Sequence, residues 1–256
     1  MGSTINMELA LGVLLGLLGL ALGSFLLTVV DRHHAGRSWV KGRSQCEHCK
    51  RQLTWWELVP LMGFIILRGR CQSCNKRIAG WHLVAELLLA GFFIAVYLAP
   101  FALGQTALVA HLIIVSALFV LFLYDVKYGE LPDQLTVPML VLALGWVVFS
   151  GGDWVPALAA AALGGGFFLV QWLISGGTWV GSGDSRLGAL IGLLVGWPYI
   201  IAVLFIAYVG GSLIALVLLA LKIKSVKDRL PMGAFLVPAT LLVLWLGPWI
   251  VARALP

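Results

Sequence analysis

Two aspartates stand where long apolar stretches of the chain end or begin, and their positions suit them to chemistry. Asp125 directly follows an apolar run, in the string LYDVK, and Asp184 ends the string GSGD. Carboxylates at membrane depth are costly, and they usually mark functional sites. Two carboxylates held close can share one proton, so that one acts as a base while the other acts as an acid. We therefore predict that this pair hydrolyses a peptide bond.

The residues around Asp184 suggest how a substrate reaches it. Gly181 and Gly183 carry no side chain, and we expect them to allow a tight turn and a close approach of an extended substrate backbone. Asp184 is also a good residue for a helix N-cap, and capping is compatible with catalysis. A GxGD string by itself is weak support for catalysis, so the interpretation depends on the second aspartate lying at the same depth.

Other acidic residues compete for these roles. Asp125 would otherwise be a cap or a surface charge on a short loop. Asp133, in the string LPD, is expected to be the N-cap of the next span, and it is the main competitor for catalysis. Glu86 lies inside an apolar run, so it is a buried carboxylate that needs a partner, with either a structural role or a place in the site.

The four cysteines of the chain form a second chemical group. Cys46 and Cys49 make one CxxC motif, and Cys71 and Cys74 make another after 21 intervening residues. Two such motifs direct four thiolates at one ion and complete a tetrahedral zinc site with no open position. Disulfides and a redox CxxC are the alternatives, but disulfides seldom persist in the cytoplasm, where we place this loop. We predict a structural zinc ion.

The composition defines the elements that carry these residues. Apolar residues make up 61% of the chain, charged residues 11%, and the mean hydropathy is +1.01. A soluble domain has about 25% charged residues, and a helical membrane span needs about 20 apolar residues. We therefore predict an all-α, polytopic membrane helix bundle with a small cytoplasmic zinc-binding loop. About eight spans are predicted: 7–30, 81–99, 104–124, 134–150, 154–175, 184–196, 198–221 and 232–252. The sixth of them is short, so it is expected to be tilted or partly buried.

The positive charge of the chain indicates topology and not a nucleic-acid partner. Ten of the seventeen basic residues lie within 32–77 and four more within 222–229, both between apolar runs. By the positive-inside rule these loops are cytoplasmic, which puts the N-terminus outside. The basic segment follows the first apolar run, so that run is expected to be a retained span and not a signal peptide. The predicted regions are a first span (1–30), the cysteine loop (31–80) and a peptidase bundle (81–256).

Several strings, in order over roughly residues 20–240, resemble those of the bacterial type IV prepilin peptidases, the leader peptidase and N-methyltransferase family. The resemblance rests on GSFL with Arg32 after it, the two CxxC motifs, WELVP between them, Asp125 through LPD, GSGD, and PMGAF before the last span. One departure lies close to the chemistry. The family usually has lysine two residues after its second aspartate, whereas this chain has Arg186, which keeps the charge but not the geometry.

The resemblance implies that Asp125 and Asp184 are the catalytic residues of a bacterial inner-membrane enzyme. It implies type IV prepilins or pseudopilins as substrates, cut on the cytoplasmic side, and methylation of the new N-terminus with S-adenosylmethionine. Methyl transfer rests on this analogy alone. A basic leader peptide fits the basic loop only if it contacts acidic residues such as Glu47 or Glu57.

Two other functions remain open at this stage. A GxGD intramembrane protease of the presenilin kind would also contain a Tyr-Asp pair and GSGD. A proton-coupled transporter would use intramembrane carboxylates as a relay, but it would place them near the bilayer midplane. The pilin that is served, the oligomeric state and the division of acid and base roles do not follow from the sequence.

Overall fold

The structure, a computed structural model, describes residues 2–38, 41–98, 105–149, 153–225 and 230–254, and the regular elements of this part are helices, apart from two isolated β-bridges in the cysteine loop. Eight long helices there coincide with the eight predicted spans, and a short 3₁₀ helix and helix α2 lie in the cysteine loop. The helices are α1 (Gly2–His34), the 3₁₀ helix (Trp55–Leu58), α2 (Met62–Ile66), α3 (Trp81–Tyr97), α4 (Gln105–Tyr128), α5 (Asp133–Phe149), α6 (Trp154–Ser175), α7 (Ser182–Val195), α8 (Tyr199–Ala220) and α9 (Gly233–Ala254).

The apolar character of these helices confirms an integral membrane protein. Four of the helices that the structure describes are long and apolar enough to cross a membrane: Asn6–His34, Leu108–Tyr128, Trp154–Ser175 and Tyr199–Ala220. Three shorter apolar helices are Trp81–Tyr97, Asp133–Phe149 and Gly233–Gly247. Helices suit a bilayer because they satisfy every backbone polar group internally. The fold class is therefore as predicted, although by length and composition only half of the eight proposed spans qualify individually.

The chain divides into two compact units, Met1–Ser116 and Ala117–Pro256. In the first unit, α1 packs along α3. A Cβ atom at Gly19 would lie 2.6 Å from the Cα atom of Ala90, and one at Gly23 would lie 2.5 Å from the carbonyl oxygen of Ala85. Only glycine allows backbones to approach so closely, as is common between membrane helices. The boundaries predicted at residues 30 and 80 remain a prediction.

The second unit is built around the short helix α7, which packs against α5, α6, α8 and α9. Half of its fourteen residues are buried. Its contact with α6 is formed by glycines, because a Cβ atom at Gly188 would lie 2.5 Å from the carbonyl oxygen of Gly164, and Gly192 faces the backbone of Ala160 equally closely. The expectation that the short sixth span is partly buried is confirmed, and burial among four helices makes membrane length unnecessary.

Candidate active site

Asp125 lies in the last turn of α4 and is 5% exposed. Its Oδ2 atom accepts a hydrogen bond of 3.0 Å from the backbone N–H of Ala234, in the first turn of α9. Gly233 makes this approach possible, since a Cβ atom there would lie 2.8 Å from Oδ2 of Asp125. The carboxylate is thus held at the unpaired N–H groups of a helix start, where negative charge is favoured.

Asp184 lies in the first turn of α7 and is 6% exposed. Its Oδ2 atom accepts a hydrogen bond of 2.8 Å from the N–H of Gly181, and its own N–H donates to the Gly181 carbonyl oxygen at 3.2 Å. The carboxylate, three residues after the N-cap position, thus forms one half of a helix capping box, while the N–H of Asp184 bonds to a backbone carbonyl because Gly181 has no side chain. The expected N-cap role is therefore shifted, because Gly181 holds that position and Asp184 returns to it.

The two carboxylates belong to the same compact unit, and each bears on the electrostatics of the site. The charge of Asp184 acts on Asp125, so the two groups are near enough to interact. In the part of the chain that is described, no basic side chain forms an ion pair with either of them. Two buried carboxylates that interact in this way titrate as a coupled pair. This arrangement suits acid–base chemistry.

The two glycines before Asp184 have different functions. Gly181 has φ −79°, an ordinary value for any residue, and a Cβ atom there would make only a normal contact of 3.5 Å with Asp184. A Cβ atom at Gly183 would lie 2.7 Å from the Cβ of Leu131. Residues 181–184 do close a turn through the hydrogen bond from Asp184 to Gly181, but Gly181 has an ordinary backbone conformation there, so this turn does not require glycine at that position. The expected close approach exists, but it is made by Leu131 of the protein itself.

Arg186 and Asp133 form an ion pair that joins the start of α7 to the start of α5. The Asp133 side chain is 64% exposed, in contrast to the buried pair. Asp133 is the first residue of α5, one position inside the helix from the cap that the sequence suggested. The positive charge of Arg186 is thus paired with Asp133, which lies two residues after Leu131 in the chain.

Sequence reasoning did not single out the residues that surround the pair from α6, α8 and α9. Gly233 and Ala234 belong to the string PMGAF, and it is the backbone N–H of Ala234 that contacts Asp125. The Tyr208 hydroxyl donates to Oε1 of Gln171 at 2.9 Å, and Tyr208 lies within the electrostatic reach of Asp184. Polar residues inside the apolar runs of α6 and α8 were the available signal for this second contact.

Glu86, whose place in the catalytic site stays a prediction, lies in the first compact unit on α3. It is 5% exposed, and its Oε2 atom accepts a hydrogen bond of 2.8 Å from the N–H of Leu61. It belongs to the surroundings of the cysteine loop.

The four cysteines converge as predicted, with all Sγ atoms within 4.8 Å of one another. The Sγ atoms of Cys46 and Cys74 are 3.8 Å apart, and those of Cys49 and Cys71 are 3.9 Å apart. Four sulfurs at about 2.3 Å from one ion are separated by about 3.8 Å in a tetrahedron. The geometry therefore fits a metal ion held by four thiolates.

The two cysteine motifs share one backbone geometry. In each, the N–H of the residue after the second cysteine donates to the carbonyl of the first: Lys50 to Cys46 at 3.0 Å and Asn75 to Cys71 at 2.9 Å. Lys50 and Asn75 both have left-handed φ values, of 58° and 55°. The N–H groups of Cys74 and Ser73 also lower the pKa of the Cys71 thiol, which favours the thiolate form of this one cysteine.

Glu57 stabilises the loop between the motifs. One carboxylate oxygen accepts from Arg51 at 2.6 Å, and the other accepts from the N–H and the hydroxyl of Thr54, each at 2.7 Å. Burial alone would raise the pKa of Glu57, but these donors outweigh it and bring the pKa below its ordinary value. Because the side chain is 1% exposed, the suggestion that Glu57 contacts a basic leader is wrong.

The fold and this site together define a helical integral membrane protein that carries a buried aspartate pair and a cluster of four cysteines that could hold a metal ion. Comparison with known proteins places the chain more narrowly. The model for the bacterial peptidase A24 N-terminal domain matches residues 17–99, and the model for the type IV leader peptidase family matches residues 112–216. The chain belongs to the type IV leader peptidase family.

Curated relatives agree with this assignment. A prepilin leader peptidase/N-methyltransferase of Myxococcus xanthus is 34% identical over 213 residues, covering 81% of this chain and 63% of the relative. Relatives of the same name are 32% identical in Burkholderia pseudomallei, covering 94% and 86%, and 30% identical in Bacillus subtilis, covering 78% and 80%. No solved structure matches the chain. These matches favour neither the presenilin-like protease nor the transporter.

Proposed function

We propose that this chain is a membrane aspartyl endopeptidase that removes the leader peptide of type IV prepilins or pseudopilins and methylates the new N-terminus. The main support for peptidase activity is the buried pair Asp125 and Asp184. Each carboxylate accepts a hydrogen bond from a backbone N–H, and no described basic side chain pairs with either of them. The name shared by the relatives supports the substrate class and the methyl transfer.

The pair would perform hydrolysis with one proton between its two carboxyl groups. The ionised aspartate takes a proton from water as the hydroxyl oxygen attacks the scissile carbonyl carbon, and the protonated aspartate donates its proton to the carbonyl oxygen. Collapse of the tetrahedral intermediate breaks the C–N bond, and a proton passes to the leaving amine. The N–H groups of Gly181 and Ala234 hold one oxygen of each carboxylate in place throughout. Acid and base roles belong to the pair as a unit.

Asparagine substitution tests this mechanism. Asp125→Asn and Asp184→Asn keep the shape of the side chain but remove the acid–base function, so each should lower prepilin cleavage by about 10²- to 10⁴-fold. Asp133→Asn is the matched control, because this exposed carboxylate lies in an ion pair of a kind that contributes about 1 kcal/mol or less. Cleavage at the unaltered rate by either variant of the buried pair would remove the dyad from the mechanism.

We also propose that the metal at Cys46, Cys49, Cys71 and Cys74 is zinc with a structural role. A centre with four thiolate ligands has no position for water or substrate, which is typical of structural zinc. Purified protein should contain about one zinc per chain, and Cys46→Ser should lose most of it. Metal content is measured by elemental analysis, and Ser73→Ala, inside the second CxxC motif, serves as a control. Zinc retained in full by Cys46→Ser would contradict this assignment.

The location that we propose is the bacterial inner membrane, with the N-terminus outside and the cysteine loop and Asp pair on the cytoplasmic side. The support is the asymmetric distribution of basic residues between the loops. Cysteine-specific labelling of single cysteines introduced into loops of intact cells would test it. A label that does not cross the membrane should react outside the cell near the N-terminus and not at position 224.

A further inference from the structure

The segment between the two CxxC motifs exposes large apolar side chains that the peptidase mechanism does not use. It contains the 3₁₀ helix and α2. A Cβ atom at Gly63 would collide with the backbone of Glu57, so only glycine lets these two short helices pack so closely. Four apolar side chains of the segment, each between 54% and 77% exposed, form what we call the apolar patch: Trp55, Met62, Ile65 and Ile66.

The interior of the first compact unit does not account for the patch. Its three members on α2 follow the spacing i, i+3, i+4, which places them on one face of a helix. Leu61, Phe64 and Leu67 face the other way and line a cavity of about 260 Å³ in the same unit. None of the four patch residues lines that cavity. The patch is therefore an outward surface of the cysteine loop.

A buried hydrogen bond fixes the level of the patch along α3. The N–H of Leu61, the residue before α2, donates to Oε2 of Glu86 at 2.8 Å. Glu86 is buried, and it follows Trp81, the first residue of α3, by about 7.5 Å along the helix axis. The start of α2 is therefore held at the level of the first turns of α3.

The length of α3 relates this level to the bilayer. The helix has 17 residues, a length of about 26 Å, whereas the hydrocarbon core of a bilayer is about 30 Å thick. It packs along α1, which is long enough to span the membrane. The first turns of α3 therefore lie at the boundary between hydrocarbon and headgroups. Exposed apolar side chains continue along α3 from there, at Trp81, Val84 and Leu87.

The charges beside the patch suit a membrane surface. Arg68 and Arg70 follow α2, and both are exposed. The N–H of Arg68 donates to the carbonyl oxygen of Ile65 at 3.0 Å, which holds this arginine at the end of α2. Within 50–70 the one acidic residue is Glu57, and Arg51 pairs with it. Basic side chains near a bilayer are attracted to anionic lipid headgroups, and no unpaired acidic group in this segment opposes that attraction.

We propose that the apolar patch inserts into the lipid bilayer at the headgroup boundary beside α3, with Arg68 and Arg70 against anionic lipid phosphates. Tryptophan is favoured at this boundary, and apolar side chains of interfacial helices enter it by about 5–10 Å. The loop is already tied to the membrane at both ends, because α1 ends before it at His34 and α3 begins after it at Trp81. Insertion thus anchors the cysteine loop to the membrane surface, and it does not depend on the peptidase activity.

Photo-cross-linking tests the lipid contact in the whole chain. A benzophenone amino acid takes the place of Ile65 or, as the matched control, of Gln72, an exposed residue of the second CxxC motif. Each protein is reconstituted into vesicles of phosphatidylcholine and phosphatidylglycerol, irradiated and analysed by mass spectrometry. Lipid should be attached about tenfold more at position 65 than at position 72, since only an interfacial side chain is surrounded by lipid. Both positions are exposed, and thermal unfolding verifies that both proteins fold.

The same experiment distinguishes lipid from a protein partner, because it is repeated with a prepilin added. Cross-links from position 65 mainly to protein would overturn the proposal, whether they reach the rest of the chain, a second copy or the prepilin. Equal lipid labelling at positions 65 and 72 would overturn it as well.

The identity of the attached lipid tests the role of the two arginines. In vesicles with equal amounts of the two lipids, position 65 should label phosphatidylglycerol about twofold or more over phosphatidylcholine. The double change Arg68→Gln and Arg70→Gln should abolish this preference, whereas Arg68→Lys with Arg70→Lys, which keeps the charge, should retain it. A preference that survives the glutamine changes would overturn the contact between the arginines and the headgroups.

Discussion

Gly233→Ala should separate the position of Asp125 from the stability of the bundle. The added Cβ atom would lie 2.8 Å from Oδ2 of Asp125, 3.1 Å from its Cγ and 3.2 Å from its Cβ. The nearest of these atoms is at the end of a side chain that can rotate, so the fold can relieve the crowding by moving the carboxylate. That movement breaks the 3.0 Å hydrogen bond from Ala234 and displaces the reacting group.

The two consequences differ in size. The fold should lose about 1 kcal/mol or less, at the low end of the cost of overpacking, because a flexible group gives way. A misplacement of about 1 Å at a reacting group costs about 10²-fold in rate, which corresponds to about 2.7 kcal/mol in the activation free energy. Catalysis should therefore fall far more than stability.

The assay compares kcat/KM for prepilin cleavage with the thermal unfolding of the same preparations. Gly210→Ala is the matched control, because a Cβ atom at this position of α8 meets nothing within 4 Å. It should leave both quantities near those of the unaltered protein. Gly233→Ala activity within about twofold of the unaltered protein would refute the geometric argument, since a displaced reacting group should cost much more. A loss of unfolding free energy as large as the increase in activation free energy would refute the geometric argument as well.

Three further changes test other parts of the structure. Gly192→Ala directs a Cβ atom into the α6 backbone, which cannot rotate away, so the free energy of unfolding in denaturant titration should fall by about 1–3 kcal/mol. Gly166→Ala, whose Cβ atom would lie in open space, should not destabilise the protein. In cleavage assays, Gly183→Ala should lose far more activity than Gly181→Ala, and the reverse order would contradict the Leu131 contact. Glu57→Gln should speed zinc release to a chelator at pH 7. Because the folded pKa of Glu57 is lowered, the stabilisation that its carboxylate gives the loop is present above about pH 4.3 and is lost as the pH falls through the folded pKa. Equal rates of zinc release from Glu57→Gln and from the unaltered protein would exclude this stabilisation.

Much of the architecture followed from local patterns. Apolar runs predicted the helices because a chain in lipid must satisfy its backbone polar groups within each helix. The cysteine site followed from CxxC spacing, since each motif closes on itself through bonds such as Lys50 to Cys46, over four residues. The short α7 was recognised by its length, and burial of Leu187 and Ile191 explains how it tolerates that length.

The same patterns gave wrong or incomplete results where a contact joins distant parts of the chain. The glycines of GSGD suggested a turn for a substrate, but Gly183 instead receives Leu131, 52 positions earlier by the numbering. Glu57 looked available for a leader peptide, but it is consumed by Arg51 and Thr54. A residue type indicates what a side chain can do, while its neighbours determine whether it is free to do it.

For this protein, the sequence by itself determined a helical membrane bundle, a four-cysteine centre and the two aspartates to examine. Each of these depends on hydrophobicity, spacing or the cost of charge in lipid, which are properties of short segments. Only the tertiary structure decided what holds Asp125, because its hydrogen bond to Ala234 crosses 109 residues and requires Gly233 at the contact. It alone also placed Glu86 in the lining of a cavity of the first unit, since the packing of α1 against α3 is not encoded in either helix alone.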